Sequence, residues 1–425
     1  MTHTVFCYHC RAFHPVNEVR NTRAKPSKRW RCIRSLAAPQ TGPAERELPV
    51  RLREEAHPAP RFVGEMRSAP DSSSRLADGA LWSVAIFAAR ETPEVLLLTI
   101  DAIVRAASKP TVIDVMVNGN PGLAAQITHI LAITPISGGF AHIRVWSVPL
   151  GGKAHTWNQY LHLVWPGRGL AFFVDGYARP MPDALELLAA GMAADQVAIA
   201  GTGIPTSGRT APHLREQMQR EGGLQGNFFA LKEAAMHQLK NTNFRLPLGL
   251  YGFDTLLGAV LGFGLDPARN PWNAKGYILV HQAVTWSIDA KKWWRYAEIK
   301  THSKRILNNA LRVLVIQATK NFLAQRKLPP EQLPRTVEEF VLSWVENYPD
   351  DARQTLWRSP LSRLALQKLR APRDWSAAAL APQQVFATQS VTSGFPLAAP
   401  RDVVPASGAG EWRFVGARQH EEVAV

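Results

Sequence analysis

Four short apolar runs, separated by stretches of helical periodicity, constrain this chain more than any other feature. Residues 82–89, 112–117, 143–148 and 170–174 have the length and composition of buried strands. Thr92-Pro93 opens a helical pattern with proline in the first turn, and Leu96, Leu97, Ile100, Ile103 and Val104 then recur at helical spacing. Asn118-Gly119-Asn120-Pro121 is a turn cluster. A helix is predicted over 123–133, and another from Gly151-Gly152 through about Val164. The order βαβαβαβ calls for a parallel sheet with helices on both faces. Such sheets bind ligands beyond the carboxyl ends of their strands. That places interest on the loops at 88–92, 118–121, 151–153 and 175–180.

Composition narrows the class. The 425 residues allow two or three domains, and 46% hydrophobic with 20% charged residues excludes wholesale disorder. No window approaches the ~20 apolar residues that cross a bilayer. The start of the chain lacks the apolar h-region of a secretory signal. Three cysteines make no disulfide framework, so a reducing, cytoplasmic setting is expected.

The net charge of +15 is local. Residues 1–35 carry eight Lys or Arg against Glu18, and 291–327 carry ten against Glu298, while the rest of the chain is close to neutral. Such patches suit nucleic acid, anionic lipid or nucleotide phosphates; the plainer alternative is a solvated surface. The expected organisation is a small Cys/His module at 1–35, a Pro- and Ser-rich linker at 36–78, the α/β domain at 79–290, a helical extension at 291–370 and a flexible tail at 371–425.

Several segments, taken in order, resemble the nucleotide-sugar glycosyltransferases of family 2, across roughly 81–300. They are Ser83 through Arg90, then Val117-Asn118-Gly119-Asn120, then Gly152-Lys153-Ala154-His155-Thr156-Trp157-Asn158. Phe173-Val174-Asp175-Gly176-Tyr177 stands at the place of the family's Asp-x-Asp motif. Gly223 through Leu231 is similar to its acceptor-side strand, and Tyr251-Gly252-Phe253-Asp254 sits where the family has its acidic base. The resemblance implies a GT-A fold, a Rossmann-like mixed sheet flanked by helices, and inverting transfer from a nucleotide diphosphosugar to a glycan, glycolipid or protein hydroxyl. It implies donor binding by Ala88, Arg90, Glu91, Asn118, Lys153, Asp175 and Tyr177, with Asp254 as general base. The plainer alternative for Asp254 is a helix N-cap. Asn118 replaces the family's first nucleotide-binding Asp, and Tyr177 its second motif Asp, which weakens a Mn2+ or Mg2+ site because hard cations prefer several oxygen ligands. His281 is the candidate second metal ligand beside Asp175. The Gln-x-x-Arg-Trp motif of processive members is absent, which predicts one sugar per encounter.

Cys7-Tyr8-His9-Cys10 has the spacing of a zinc knuckle, and Cys7, Cys10, His14 and Cys32 form the candidate Zn2+ set. The region 291–325 reads as a basic amphipathic helix with Ile299, Ile306, Leu307, Leu311, Leu314 and Val315 on one face. It would rest peripherally on an anionic membrane or pack on the catalytic domain. The competing function is nucleic-acid binding by an inactive transferase-like domain, or sugar transfer to a nucleic acid.

Overall fold

A computed structural model describes residues 81–134, 136, 140–207, 211–288 and 296–388, the backbone alone over 296–305, and the backbone of four short strands nearer the start. The chain divides into two compact units, Met1–Ser74 and Arg75–Val425. In the first, β1 (Thr4–Phe6) pairs antiparallel with β2 (Phe13–Pro15), and β3 (Val19–Thr22) with β4 (Arg29–Cys32). His14 and Cys32 fall on these strands; Cys7 and Cys10, with the linker at 36–78 and residues 389–425, lie outside the described residues.

The second unit is built on one nine-stranded sheet. Its first half is the expected succession: β5 (Trp82–Ala88), α1 (Pro93–Ala106), β6 (Thr111–Asn118), α2 (Pro121–Ile133), β7 (Ala141–Val148), α3 (Lys153–Gln159) and β8 (Leu170–Asp175). Helix α3 runs on through a π-helical turn to Val164. β5 pairs in parallel with both β6 and β8, and β6 with β7. The second half is mixed. β9 (Ala178–Pro180), α4 (Ala184–Ala194), β10 (Ala200–Pro205), α5 (Ala211–Glu221), β11 (Phe228–Leu231) and α6 (Glu233–Asn241) come first. α7 (Phe253–Gly262), α8 (Ala274–Tyr277) and β12 (Ile278–Ile288) follow. β11 lies antiparallel between β8 and β10, and β12 joins β10 to β9.

Period-two alternation sorts the side chains onto two faces. Trp82, Val84, Ile86 and Ala88 pack with apolar residues of α1, α2 and α4; Ala85 and Phe87 face the other way, toward α3, α6 and α7. On that second face Phe87, Phe173 and Phe229 stack across three neighbouring strands, with centroids 6.1 and 4.7 Å apart. Phe253 packs edge-on against Phe87 at 6.5 Å, so the ring ladder fixes the start of α7.

The same face receives the C-terminal helices: α9 (Tyr296–Thr319), α10 (Val337–Asn347), α11 (Pro349–Arg358) and α12 (Pro360–Leu369). Leu311, Leu314 and Val315 of α9, with Phe340, Trp344 and Leu366, share one core with Phe173. The described apolar face of α9 is thus spent on this core, although Ile306, assigned to that face, is 40% exposed. Gln383–Ala387, within the segment read as tail, forms β13 and pairs with β7. Among the described residues no helix is long and apolar enough to cross a membrane.

Candidate functional site

β5 and β8 are neighbours, but the chain leaves them in opposite directions, from β5 to β6 on one side and from β8 to β9 at the far edge on the other. A cleft of about 830 Å³ opens beyond their carboxyl ends, where such switch points place ligands. All of the sequence-predicted donor residues line it, together with Asp254: Ala88, Arg90, Glu91, Asn118, Lys153, Asp175 and Tyr177.

The loops are held by side chains of their own. Asn118 donates from Nδ2 to the Ala88 carbonyl at 2.8 Å and accepts at Oδ1 from the Gly152 amide at 2.8 Å. Asn120 caps α2 and donates to the Ala89 carbonyl at 2.9 Å. Glu91 accepts from the amides of Ala89 and Arg90. Asn118, expected to meet the nucleotide, therefore also ties the ends of β5 and β6 and the start of α3 into one floor.

Asp175 ends β8. One of its oxygens accepts from Lys153 Nζ and the other from Asn227 Nδ2 at 3.2 Å. Lys153 also donates to the Gly226 carbonyl at 2.8 Å, and its ammonium lies 4.6 Å from the centre of the Phe253 ring. Tyr177 is 3.3 Å from the Asn227 amide; burial and the adjacent Asp175 raise its phenol, which stays protonated. The metal question can be put to these groups. One carboxylate already neutralised by an ammonium, plus a protonated phenol, is a poor donor set for a hard divalent cation, which takes about six oxygens. His281 does not line the cleft. Its ring packs against Gly191 of α4, with Nδ1 buried and unbonded among the described residues. No cluster of three metal-ligating side chains occurs among the described residues. The residues present do not form a ready site for Mn2+ or Mg2+, and no step below uses one.

Asp254 sits in the first turn of α7, where Gly252 holds the cap position. The N-cap alternative is thereby removed. Burial pushes its carboxyl upward; Arg312 and Lys153 act against this, and Asp175 adds to it. Gly226 closes the arrangement. A β-carbon there would stand 2.9 Å from Asp254 Cβ, so glycine lets the carbonyl that holds Lys153 lie against Asp254.

Sequence reasoning missed the far wall. Arg312 of α9, Lys368 of α12 and Arg373 also line the cleft. Arg312 and Lys368 come from helices, and Arg373 from the loop after α12, that reach the cleft only through tertiary packing. The one local hint was that Arg312 lies off the apolar face of its helix.

No protein-family model matches the chain, and no curated protein does. Among solved structures it is similar to glucosyl-3-phosphoglycerate synthase from Mycobacterium tuberculosis in complex with Mn2+, uridine-diphosphate and glucosyl-3-phosphoglycerate. That match is 16% identical, covers 55% of this chain and 80% of that one, and has a TM-score of 0.36. It is also similar to S. aureus TarS 1-349, at 13% identity over 69% of this chain and 92% of that one, with a TM-score of 0.37. What the cleft can do follows from its own residues.

Proposed function

We propose that the chain is an inverting glycosyltransferase of GT-A type, moving one sugar per encounter from a nucleotide diphosphosugar to an acceptor hydroxyl. One observation carries this reading: Lys153, paired with Asp175, and the half-buried Asp254 meet at Gly226 at the carboxyl end of the sheet. A cation and a carboxylate base thus share one cleft.

The nucleoside would lie over the loops at 88–91 and 118–119, with Asp175 and Tyr177 at its ribose side. Lys153 and Arg90 would meet the diphosphate, and Lys153 would balance the negative charge that grows on it as it leaves. The acceptor oxygen attacks the anomeric carbon from the side opposite the diphosphate. Its proton passes to ionised Asp254 while the carbon–phosphate oxygen bond breaks. A single displacement inverts the anomeric centre. The reducing cytosol is the proposed setting.

Calorimetry with a panel of nucleotide diphosphosugars, with and without Mn2+, tests the donor. Transfer by Asp254→Asn tests the chemistry. A selective donor and loss of transfer with donor binding kept are expected. No binding of any donor, or normal transfer by Asp254→Asn, overturns the proposal.

A further inference from the structure

The proposed donor site leaves Arg312, Lys368 and Arg373 on the wall of the cleft without a role. The loop at 249–252, which leads into α7 and Asp254, is bracketed by two arginines. A β-carbon on Gly249, where φ is +75°, would stand 3.0 Å from Arg373 Nη1 and 2.8 Å from the Trp375 ring. One on Gly252, where φ is +68°, would stand 3.4 Å from Arg312 Nε. Both guanidinium groups therefore pack onto bare backbone at positions where side chains are disfavoured. Arg373 is further steadied by Trp375, its guanidinium 6.0 Å from the ring centre. Lys368, in the last turn of α12, also lines this wall.

The charge here is unbalanced. Arg312 is engaged by Thr255 and lies 3.5 Å from Asp254. Lys368 and Arg373 line the cleft and form no ion pair among the described residues. Lys153, on the other side of Asp254, already answers for the donor diphosphate. A neutral sugar acceptor would leave this second group of cations facing nothing.

The geometry points to an anion subsite on the acceptor side: the acceptor carries a phosphate group, held by Arg373 and Lys368 with Arg312 beside them, while its hydroxyl lies at Asp254. This rests on the glycosyltransferase reading for the role of Asp254. The subsite itself rests on the three cations. Arginine forks and a lysine point charge suit a phosphate. Steering by such a wall weakens with salt.

The test uses the full chain and three probes: inorganic phosphate, glycerol 3-phosphate and vesicles containing phosphatidylglycerol. Lys368 and Arg373 are both exposed, so Lys368→Gln and Arg373→Gln should keep the wild-type melting temperature. Losing a charge-assisted contact should weaken the phosphate probe about tenfold or more in each variant. Nucleotide diphosphosugar affinity should stay within about twofold, because Lys153 is intact. Binding of glycerol 3-phosphate identifies a soluble acceptor, and vesicle binding lost in the same variants identifies a lipid-borne one. The inference is overturned if no phosphate probe binds, or if both variants bind the probes like wild type. It is also overturned if the variants lose donor and probe together, which would give these cations to the donor. If no diphosphosugar binds but phosphate does, in an Arg373-dependent way, the subsite stands and the transferase reading falls.

Discussion

Arg312 stands 58 positions beyond Asp254, yet its Nη2 is 3.5 Å from Asp254 Oδ2 and 2.6 Å from Thr255 Oγ1. The bond to Thr255 aims the guanidinium, and the guanidinium favours the ionised carboxylate. A helix outside the expected catalytic segment thereby helps set the protonation of the candidate base.

That coupling gives a pH dependence. Burial holds the Asp254 carboxyl above its ordinary value of about 3.9, so the base is lost at higher pH than usual. Transfer should fall as pH drops through that raised value. In Arg312→Met a charge that holds the carboxyl down is gone, so the acidic limb of kcat/KM should move to still higher pH. An unmoved limb would mean that Asp254 is not the group titrating. Asp254→Asn should lower kcat by roughly 10²–10⁴-fold, read from initial rates.

Lys153→Met removes the cation proposed to meet the diphosphate and leaves Asp175 without its ion pair, with Asn227 still bonded to it. Donor affinity should weaken about tenfold or more by calorimetry. Wild-type affinity should change by less than about threefold between chelator and Mn2+, since the site offers so few metal ligands. A strict metal requirement would show that the donor's own phosphates complete a site with Asp175.

Gly226→Ala places a methyl 2.9 Å from Asp254 Cβ, which cannot swing aside as a side-chain tip could. The base must shift, and displacing it by a few tenths of an ångström or more should cost about tenfold or more in kcat. Donor KM should change far less. Equal loss in both parameters would mean that the loop, and not the base, had moved.

Away from the cleft, Asp114 accepts from Arg144 at 2.6 and 2.8 Å and from Trp146 Nε1 at 2.8 Å, with its side chain fully buried. Arg144→Met leaves that carboxylate unpaired between two strands. A loss of about 3–5 kcal/mol is expected from denaturant unfolding. Asp114→Asn in the same chain should recover part of it.

The parallel half of the sheet was legible because β5, β6 and β8 are buried on both faces and so show as apolar runs. The mixed half was not. β10 reads Ala-Gly-Thr-Gly-Ile-Pro, where small residues leave room for α4 and β12 and leave no periodic signal. β13 lies at the sheet edge with most of its residues exposed, so its composition resembles a loop. In the site, Lys153, Asp175 and Asp254 were legible from their motifs. Gly226 reads in the sequence only as part of a strand-like segment, because a carbonyl's hydrogen bond leaves no mark on residue type. Lys368 and Arg373 reach the cleft through packing alone. His281 was drawn toward a metal role by residue type, while the strand order carried it to α4.

The pairing of β13 with β7 has a consequence for handling this chain. The sheet's other edge is β9, three residues long and ended by a proline, a poor template for further pairing. β7 is longer, and Gln383, Gln384, Phe386 and Ala387, with Thr388 beside Ile143, occupy its outer side. A version cut before residue 383 would keep every catalytic candidate but bare a row of unpaired amides. Such a protein should assemble edge to edge with its own copies, and its loss of yield would be a matter of colloid behaviour, with the chemistry of the cleft intact.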